Sequence, residues 1–316
     1  MLHLLDLDGL DEPAITDFLD HAESLLPQNG SWQTAGFTKN RSLEGLTVVN
    51  LFFEGSTRTR SAFEIAAKRM SADVINFDAI SSSTSKGETL RDTLLTLHAC
   101  GGDIFVVRHG FSGAVQFAAE RVLPSTGVIN AGDGSHAHPT QALLDLLTIR
   151  QLKKDFAQLR VVIVGDILHS RVGRSLIHGL NILNVPEICV CAPLTLMPDG
   201  LEERDILCYN DLEQAVKGAD VVIALRLQTE RMQSNLLPSA HEYFRYWGLS
   251  ESKLKGAKPD VIVMHPGPIN RGLDIASELA DGSRSSILRQ VANGMAVRMA
   301  VLDRIGQSLK KLRAEA

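Results

Sequence analysis

The stretch from Phe53 to Arg60 carries a high density of hydrogen-bond donors. It reads Phe-Glu-Gly-Ser-Thr-Arg-Thr-Arg, follows the apolar run 46–52, and precedes the segment 61–70, whose apolar residues recur at helical spacing. A helix begins with unpaired N–H groups and a partial positive charge, which suits it to hold an anion. The side chains that would assist are Ser56, Thr57, Arg58 and Thr59. An ordinary Ser/Thr-capped helix with solvated arginines is the alternative, but the density of donors favours a phosphate site.

Other polar residues follow the predicted strands, where ligands of parallel α/β sheets bind. They are Arg108, His138, Arg171, Arg226 with Gln228, and His265-Pro266-Gly267-Pro268. Taken singly, each has an ordinary alternative: Arg108 at the surface, His138 in the core or at a helix cap, and Arg226 paired with an acidic neighbour. Together they predict a ligand with several negative charges, such as a phosphate plus one or more carboxylates.

Several catalytic motifs are absent from the sequence. It contains no H-E-x-x-H, no clustered carboxylate pattern for magnesium, no G-x-S-x-G nucleophile elbow and no P-loop, and Gly165-Asp166 does not continue as G-x-G-x-x-G. We therefore expect no metal and no cofactor. A site without these groups works by positioning and charge stabilisation, which suits direct transfer of an activated group whose carbonyl is polarised by a histidine and arginines.

Predicted strands and helices alternate along the chain, which indicates parallel sheets covered on both faces. Strands are predicted at 46–52, 72–77, 103–108 and 127–131, then at 159–166, 187–191, 221–225 and 261–264. The 316 residues suffice for two domains. We predict an α/β fold of two similar doubly wound parallel-sheet domains with the active site in the cleft between them. The first spans 1–150 and is completed by a C-terminal helix at 286–316; the second spans 151–285.

Composition excludes several classes of function. The formal net charge is −5, from 32 basic and 37 acidic residues, which argues against general nucleic-acid or anionic-membrane binding. No apolar run approaches the roughly 20 residues of a membrane span, and the N-terminus has no signal-peptide pattern. The four cysteines form neither a CxxC pair nor a disulfide framework, so we expect reduced core residues in a cytoplasmic protein.

The motifs in their order and spacing resemble the aspartate carbamoyltransferase family over essentially the whole chain. The resemblance rests on 53–60, Ser85-Lys86-Gly87-Glu88-Thr89, Val107-Arg108-His109, 136–145, 165–171, 226–231 and 265–268. It implies transfer of the carbamoyl group from carbamoyl phosphate to the amino group of L-aspartate, an early step of pyrimidine synthesis. It also implies a cis peptide bond before Pro268.

The resemblance assigns roles residue by residue. Phosphate contacts fall to Ser56, Thr57, Arg58, Thr59 and Arg108, and carbamoyl contacts to Thr59, Arg108, His138 and Gln141. Aspartate contacts fall to Arg171, Arg226, Gln228, Arg108 and Lys86, while the main chain at Gly267 and Pro268 meets both substrates. The catalytic set is Arg58, Thr59, Lys86, Arg108 and His138. Glu54 and Arg231 match residues that help hold the closed arrangement of domains in relatives.

The family's loop serine and lysine enter the site of a neighbouring chain, which implies a homotrimer with shared active sites. Lys86 matches the lysine; Ser82 is the preferred serine, with Ser83 as the alternative. The sequence leaves open whether regulatory chains or a dihydroorotase-like partner join the trimer.

Two other functions compete with this interpretation. An ornithine-type transcarbamoylase is disfavoured because His265-Pro266-Gly267-Pro268 stands where ornithine enzymes usually carry His-Cys-Leu-Pro, and because Arg226 and Gln228 suit a carboxylate. A non-catalytic homologue would be expected to lose phosphate or carbamoyl contacts, and these residues are all retained.

Overall fold

The computed structural model of the chain describes residues 1–27, 36–78, 87–122, 125–228 and 239–315. The chain divides into two compact units. Unit 1 contains Met1–Leu144 and Ala292–Ala316, and unit 2 contains Asp145–Val291. Each unit is built on a five-stranded sheet in which every strand pair is parallel. The prediction of two parallel-sheet α/β domains is therefore confirmed.

Unit 1 contains the first half of the elements. Its strands are β1 (His3–Leu4), β2 (Thr47–Phe52), β3 (Asp73–Asp78), β4 (Ile104–His109) and β5 (Gly127–Asp133), in the order β1-β5-β4-β2-β3. The helices are α1 (Glu12–Ser24), α2 (Thr57–Arg69), α3 (Leu90–Ala99) and α4 (Ala114–Phe117), the last continued by a π-helical turn at Ala118–Val122. The next helix, α5 (Pro139–Lys153), begins in unit 1.

Unit 2 repeats the alternation. Its strands are β6 (Arg160–Val164), β7 (Glu187–Cys191), β8 (Ile206–Tyr209), β9 (Val221–Ala224) and β10 (Ile262–Met264), in the order β10-β9-β6-β7-β8. Its helices are α6 (Arg171–Ile182), α7 (Leu212–Ala215), α8 (Ala240–Tyr246) and α9 (Ser277–Ala280). None of the helices in the described ranges combines the length and apolar character that a membrane span requires.

The central strands are buried, which explains their nearly continuous apolar sequences. Val48, Val49 and Leu51 of β2 are fully buried, and so are Val161 to Ile163 of β6. Strands covered on both faces need apolar side chains at every position, and β-branched residues fit the pleated surface. This is why hydrophobic runs alone located these strands.

The last helix, α10 (Ile287–Glu315), contributes its larger part to unit 1. Ile305 and Leu309 are buried on one face of the helix. Gly127 at the start of β5 lies so close to Ile305 that an added Cβ would collide with that side chain. A residue without a side chain is therefore required for the approach of α10 to the sheet.

The cysteines depart in part from the sequence prediction. All four are free thiols, and Cys189 and Cys191 are buried in β7, as expected for core residues. Burial raises the pKa of Cys189 to about 11 and that of Cys191 to about 12. Cys100, however, is exposed at the end of α3, and Cys208 is only partly buried. The expectation that all four lie in the core was wrong, because a lone Cys carries no signal that separates core from surface positions.

Candidate active site

The turn after β2 has the form that the sequence predicted. β2 ends at Phe52, Ser56 occupies the N-cap position, and α2 begins at Thr57. The Ser56 side chain makes no capping hydrogen bond, and the first turn of α2 contains no acidic residue. The first turn instead carries Arg58, which is exposed, and Thr59, which is buried. The helix dipole disfavours a cation at this end of a helix, so this pattern of residues does not favour helix stability. It does suit a bound anion.

Arg108 lies beside this turn. It is the register partner of Phe52 in the β2–β4 pair, so it belongs to the last residues of β4 and does not follow the strand. Its Nη1 donates to the carbonyl oxygen of Ala131 at 3.1 Å, and its Nε lies 3.6 Å from Oε2 of Glu54. Sequence reasoning did not foresee that Glu54 would lie against Arg108 itself. A half-buried carboxylate at this distance partly neutralises the guanidinium.

His138 is held at the start of α5. Its main-chain oxygen accepts hydrogen bonds from the N–H groups of Gln141 and Ala142, and both His138 and Gln141 are buried. The helix begins at Pro139, directly after His138. His138 is 4% exposed, so its ring lies in a packed environment.

The loop before His138 is organised by Asp133, a residue that sequence reasoning missed. Asp133 is 1% exposed and accepts hydrogen bonds from the N–H groups of Gly113 and Ala137 at 2.8 and 3.2 Å. Its carboxylate also lies 3.1 Å from Nδ1 of His136. The signal in the sequence was an aspartate at the end of a strand, within Asn-Ala-Gly-Asp-Gly. This composition is typical of tight loops, in which an aspartate binds main-chain groups.

These residues meet at one edge of the unit 1 sheet. β2, β4 and β5 are consecutive and parallel in the strand order, so their carboxyl ends share an edge. Successive strands are added to the sheet in opposite directions on the two sides of the β2–β4 pair, because β3 lies beside β2 and β5 lies beside β4. Ligands of open parallel sheets bind at such a switch point.

His109 follows Arg108 at this edge and packs against two aromatic rings. Its ring is tilted against those of Phe53 and Phe111, with centroid distances of 5.0 and 5.3 Å. Burial lowers the pKa of His109, and the charges of Asp133 and Glu54 only partly oppose that effect. The imidazole Nδ1 accepts a hydrogen bond from the N–H of Phe111. His109 is therefore a neutral packing residue next to Arg108.

Unit 2 also has a strand followed by a serine at the N-cap position and an arginine in the first turn of a helix. Its switch point lies between the adjacent strands β6 and β9. After β6, Ser170 caps α6 by accepting from the N–H of Gly173 at 3.1 Å, and Arg171 is the first residue of that helix. Arg171 is 4% exposed, although burial and the helix dipole both disfavour a cation there. Arg226 and Gln228 follow β9 and are partly buried.

A buried carboxylate connects these two segments. Asp166, which is fully buried, accepts the N–H of Gln228 at 3.3 Å on one oxygen. Its other oxygen accepts the N–H of His169 at 3.1 Å and lies 2.9 Å from Nδ1 of the same residue. Asp166 therefore fixes the main chain on both sides of the switch point. In the sequence, this aspartate stood out only as part of the motif at 165–171.

The third segment at this edge follows β10, which pairs with β9. It contains His265, buried at 1% exposure, and the cis peptide bond between Gly267 and Pro268. The expected cis bond is thus confirmed. Three predicted site residues, Ser82, Lys86 and Arg231, lie outside the described residues, as does the alternative Ser83. Within the described ranges, no group of three or more His, Cys, Asp and Glu side chains could hold a metal ion.

Family models match nearly the whole chain. Residues 2–151 match the carbamoyl-P binding domain of aspartate/ornithine carbamoyltransferase, and residues 157–305 match the Asp/Orn binding domain of the same family.

Solved structures of similar fold agree with these matches. Aspartate transcarbamoylase from Trypanosoma cruzi, in complex with carbamoyl aspartate and phosphate, is 30% identical with a TM-score of 0.83, covering 96% of this chain and 95% of that one. The complex of that enzyme with carbamoyl phosphate and aspartate gives a TM-score of 0.84 at 30% identity, with 96% of each chain covered. Ornithine carbamoyltransferase from Thermus thermophilus is 24% identical with a TM-score of 0.83, covering 96% and 99%, and shows the fold alone.

Proposed function

The chain belongs to the aspartate/ornithine carbamoyltransferase family, and from that membership we propose that it transfers the carbamoyl group of carbamoyl phosphate to L-aspartate. The products are N-carbamoyl-L-aspartate and phosphate, and the reaction serves pyrimidine synthesis in the cytoplasm. We assign carbamoyl phosphate to residues 1–150 with 286–316, and aspartate to residues 151–285. The carbamoyl-transferring activity follows from the family; the choice of aspartate needs a separate argument.

The observation that carries the proposal is the pair of arginines in helix first turns. Arg58 in α2 and Arg171 in α6 each stand where the helix dipole opposes a cation, and the first turn of neither helix contains an acidic residue. An anionic substrate group at each position offsets this cost. Carbamoyl phosphate supplies one such group, and a substrate carboxylate supplies the other. Ornithine has a cationic side chain, whereas aspartate brings a second carboxylate for Arg226.

The carbamoyl phosphate half of the site uses unit 1. Ser56, Thr57, Arg58 and Thr59 hold the phosphate at the start of α2, with the Ser56 hydroxyl not engaged in capping. Arg108 and His138 polarise the carbamoyl oxygen, and Gln141 contacts the amide. Phosphate binding draws Arg108 from its long contact with Glu54, since a dianion attracts the guanidinium more strongly than one carboxylate at 3.6 Å.

The reaction is a direct displacement. The neutral amine of aspartate attacks the carbamoyl carbon, a C–N bond forms, the C–O bond to phosphate breaks, and the electron pair leaves with phosphate. The departing phosphate accepts the amine proton. The protein contributes by placing the two substrates and by stabilising the negative charge that develops on the carbamoyl oxygen. Arg108 and His138 supply that stabilisation.

We also propose a homotrimer in which Lys86 and Ser82 complete the site of a neighbouring chain. The edge strand β3 supports a partner on this side of unit 1. Ile75 in β3 and Ile65 in α2 are 37% and 49% exposed, which is costly for a free surface of this unit. A subunit packed against these residues would remove them from water.

The test is an assay that offers aspartate and ornithine side by side with carbamoyl phosphate, with the two products separated by chromatography. We expect carbamoyl aspartate and no citrulline. Citrulline alone would favour the ornithine-type function, and no product from either substrate would favour a non-catalytic homologue. Arg204→Ala, which removes an exposed arginine of unit 2, serves as the control.

A further inference from the structure

A chain of buried hydrogen bonds in unit 2 connects the segment after β9 with the segment after β10. The N–H of Leu227 donates to Oδ1 of Asp274 at 3.2 Å, and Oδ2 of Asp274 lies 3.2 Å from Nε2 of His265. The N–H of Gly267 then donates to Nδ1 of His265 at 2.8 Å. The side chains of His265 and Asp274 are fully buried.

The hydrogen bonds assign one tautomer to His265. Because Nδ1 accepts from the N–H of Gly267, it carries no proton, so the proton lies on Nε2. The Nε2–H group therefore donates to Asp274, whose oxygens also accept the N–H groups of Leu227 and Asn270. Each polar atom of the imidazole is engaged, and the ring cannot rotate without losing two hydrogen bonds.

Stability alone does not explain this pair. Removing a carboxylate from water costs several kcal/mol, and an apolar pair of similar volume often serves stability as well or better. An apolar pair, however, cannot orient main-chain groups by hydrogen bonds. Three main-chain N–H groups, at 227, 267 and 270, are oriented by these two side chains. Residues 227 and 267 lie directly beside residues that the proposed function assigns to substrates.

We propose that His265 and Asp274 are positioning residues that set the placement of two substrate-binding segments, 226–228 and 265–268, relative to one another. Neither side chain touches a substrate. Asp274 orients the main chain between Arg226 and Gln228, which bind aspartate, and His265 orients Gly267, whose main chain meets both substrates. This inference rests on the proposed function.

Two substitutions at His265 each remove one of its two side-chain hydrogen bonds and keep the other. His265→Asn keeps an acceptor where Nδ1 stood, so it retains the bond from Gly267, but it is too short to reach Asp274. His265→Gln keeps a donor where Nε2 stood, so it retains the bond to Asp274, but it leaves Gly267 without its acceptor. Matched controls are His241→Asn and His241→Gln, because His241 is exposed in α8.

Steady-state kinetics with both substrates varied gives the test. We expect His265→Asn to raise the KM for aspartate about tenfold and that for carbamoyl phosphate less than about threefold, the tenfold effect being that of one lost hydrogen bond. His265→Gln is expected to raise both KM values, because the main chain at Gly267 meets both substrates. If both variants keep wild-type KM values and lose only thermal stability, or if His265→Asn changes both KM values equally, the inference is overturned.

A variant at Asp274 covers the case in which neither variant of His265 folds. Asp274→Asn preserves shape but sets an NH₂ group against the donors of His265 and Asn270, or against that of Leu227 if the amide is flipped. A raised KM for aspartate with an unchanged KM for carbamoyl phosphate supports the positioning role, and unchanged KM values overturn it. Failure of the proposed function is distinguishable, since the wild-type protein would then form no product from aspartate.

Discussion

The main-chain N–H of Gln228 donates to Oδ2 of Asp166, across the switch point of the unit 2 sheet. Asp166 follows β6 and Gln228 follows β9, so one buried carboxylate joins the loops of two adjacent strands. Asp133 does the comparable work in unit 1, where it organises the loop between β5 and His138. In both units a buried carboxylate at the end of an inner strand, or just after it, holds the main chain of the following loops in place.

Asp166→Asn is expected to weaken aspartate binding specifically. The amide turns an acceptor into a donor against either Gln228 or His169, so the KM for aspartate should rise about tenfold or more and the free energy of unfolding should fall by about 1–3 kcal/mol. The KM for carbamoyl phosphate should stay near the wild-type value. Asp211→Asn, which keeps a side-chain cap at the start of α7, is the control. Equal changes in both KM values would contradict the local role of Asp166.

Ser56→Ala should separate ligand binding from helix capping. Since the Ser56 side chain makes no capping hydrogen bond, its removal should change the free energy of unfolding by less than about 0.5 kcal/mol. The KM for carbamoyl phosphate should rise about tenfold. The opposite pattern is expected for Asp11→Ala, because Asp11 caps α1 at 2.9 Å: a loss of about 1 kcal/mol in stability and unchanged kinetics. Urea titration and initial rates measure both quantities. A large stability loss in Ser56→Ala would refute the distinction.

Mixed chains test the shared site. Arg58→Ala and Lys86→Ala chains should each be inactive, since each removes a residue of the proposed catalytic set. When the two are denatured together and reassembled in equal amounts, about a quarter of the sites in a cyclic assembly should combine an intact Arg58 with an intact Lys86. We expect activity to return to that extent. Persistent inactivity, with mixed assemblies demonstrated by native mass spectrometry, would show that no site is shared.

Asp303 predicts a pH dependence of stability. Burial opposes its ionisation, but hydrogen bonds from His21, Ser42 and Gln307 outweigh burial and hold its pKa below the ordinary value of 3.8. A carboxyl group whose pKa is lower in the folded state stabilises the fold fully above pH 3.8. This contribution is lost as the pH falls through the folded-state pKa. Wild type should therefore lose more stability than Asp303→Asn between pH 5 and 3 in urea titrations, while exposed Asp199→Asn should follow wild type. Parallel curves for all three proteins would contradict the prediction.

Much of the fold was predictable because its central strands are buried on both faces. Such strands need apolar residues throughout, and their runs stand out in the sequence. Two of the four edge strands, β1 and β8, were missed for the opposite reason. β1 has two residues, and β8 has four, of which Leu207 is 43% exposed. A short strand with one open side needs neither a long apolar run nor strict alternation. Strand order also had no local signal, because it depends on contacts distant in sequence.

The candidate site was predictable where side chains themselves carry the chemistry. Arg108, Arg171 and Arg226 stand out because cations follow apolar strands. The residues that hold the neighbouring main chain in place, Asp133, Asp166 and Asp274, did not stand out. An aspartate in a loop is ordinary in sequence, and only the fold reveals that these three are buried and accept main-chain N–H groups.

The division of unit 1 between the two ends of the chain has a consequence for synthesis. Residues 292–316 belong to unit 1, and Ile305 packs against Gly127. A ribosome emits residues 292–316 after the whole of unit 2, so unit 1 lacks part of its core until they have emerged, whereas unit 2 is one uninterrupted stretch that is complete earlier. The nascent chain therefore completes unit 1 after unit 2. A nascent chain that stops before α10 leaves an unfinished amino-terminal half, with apolar surface open to chaperones and proteases.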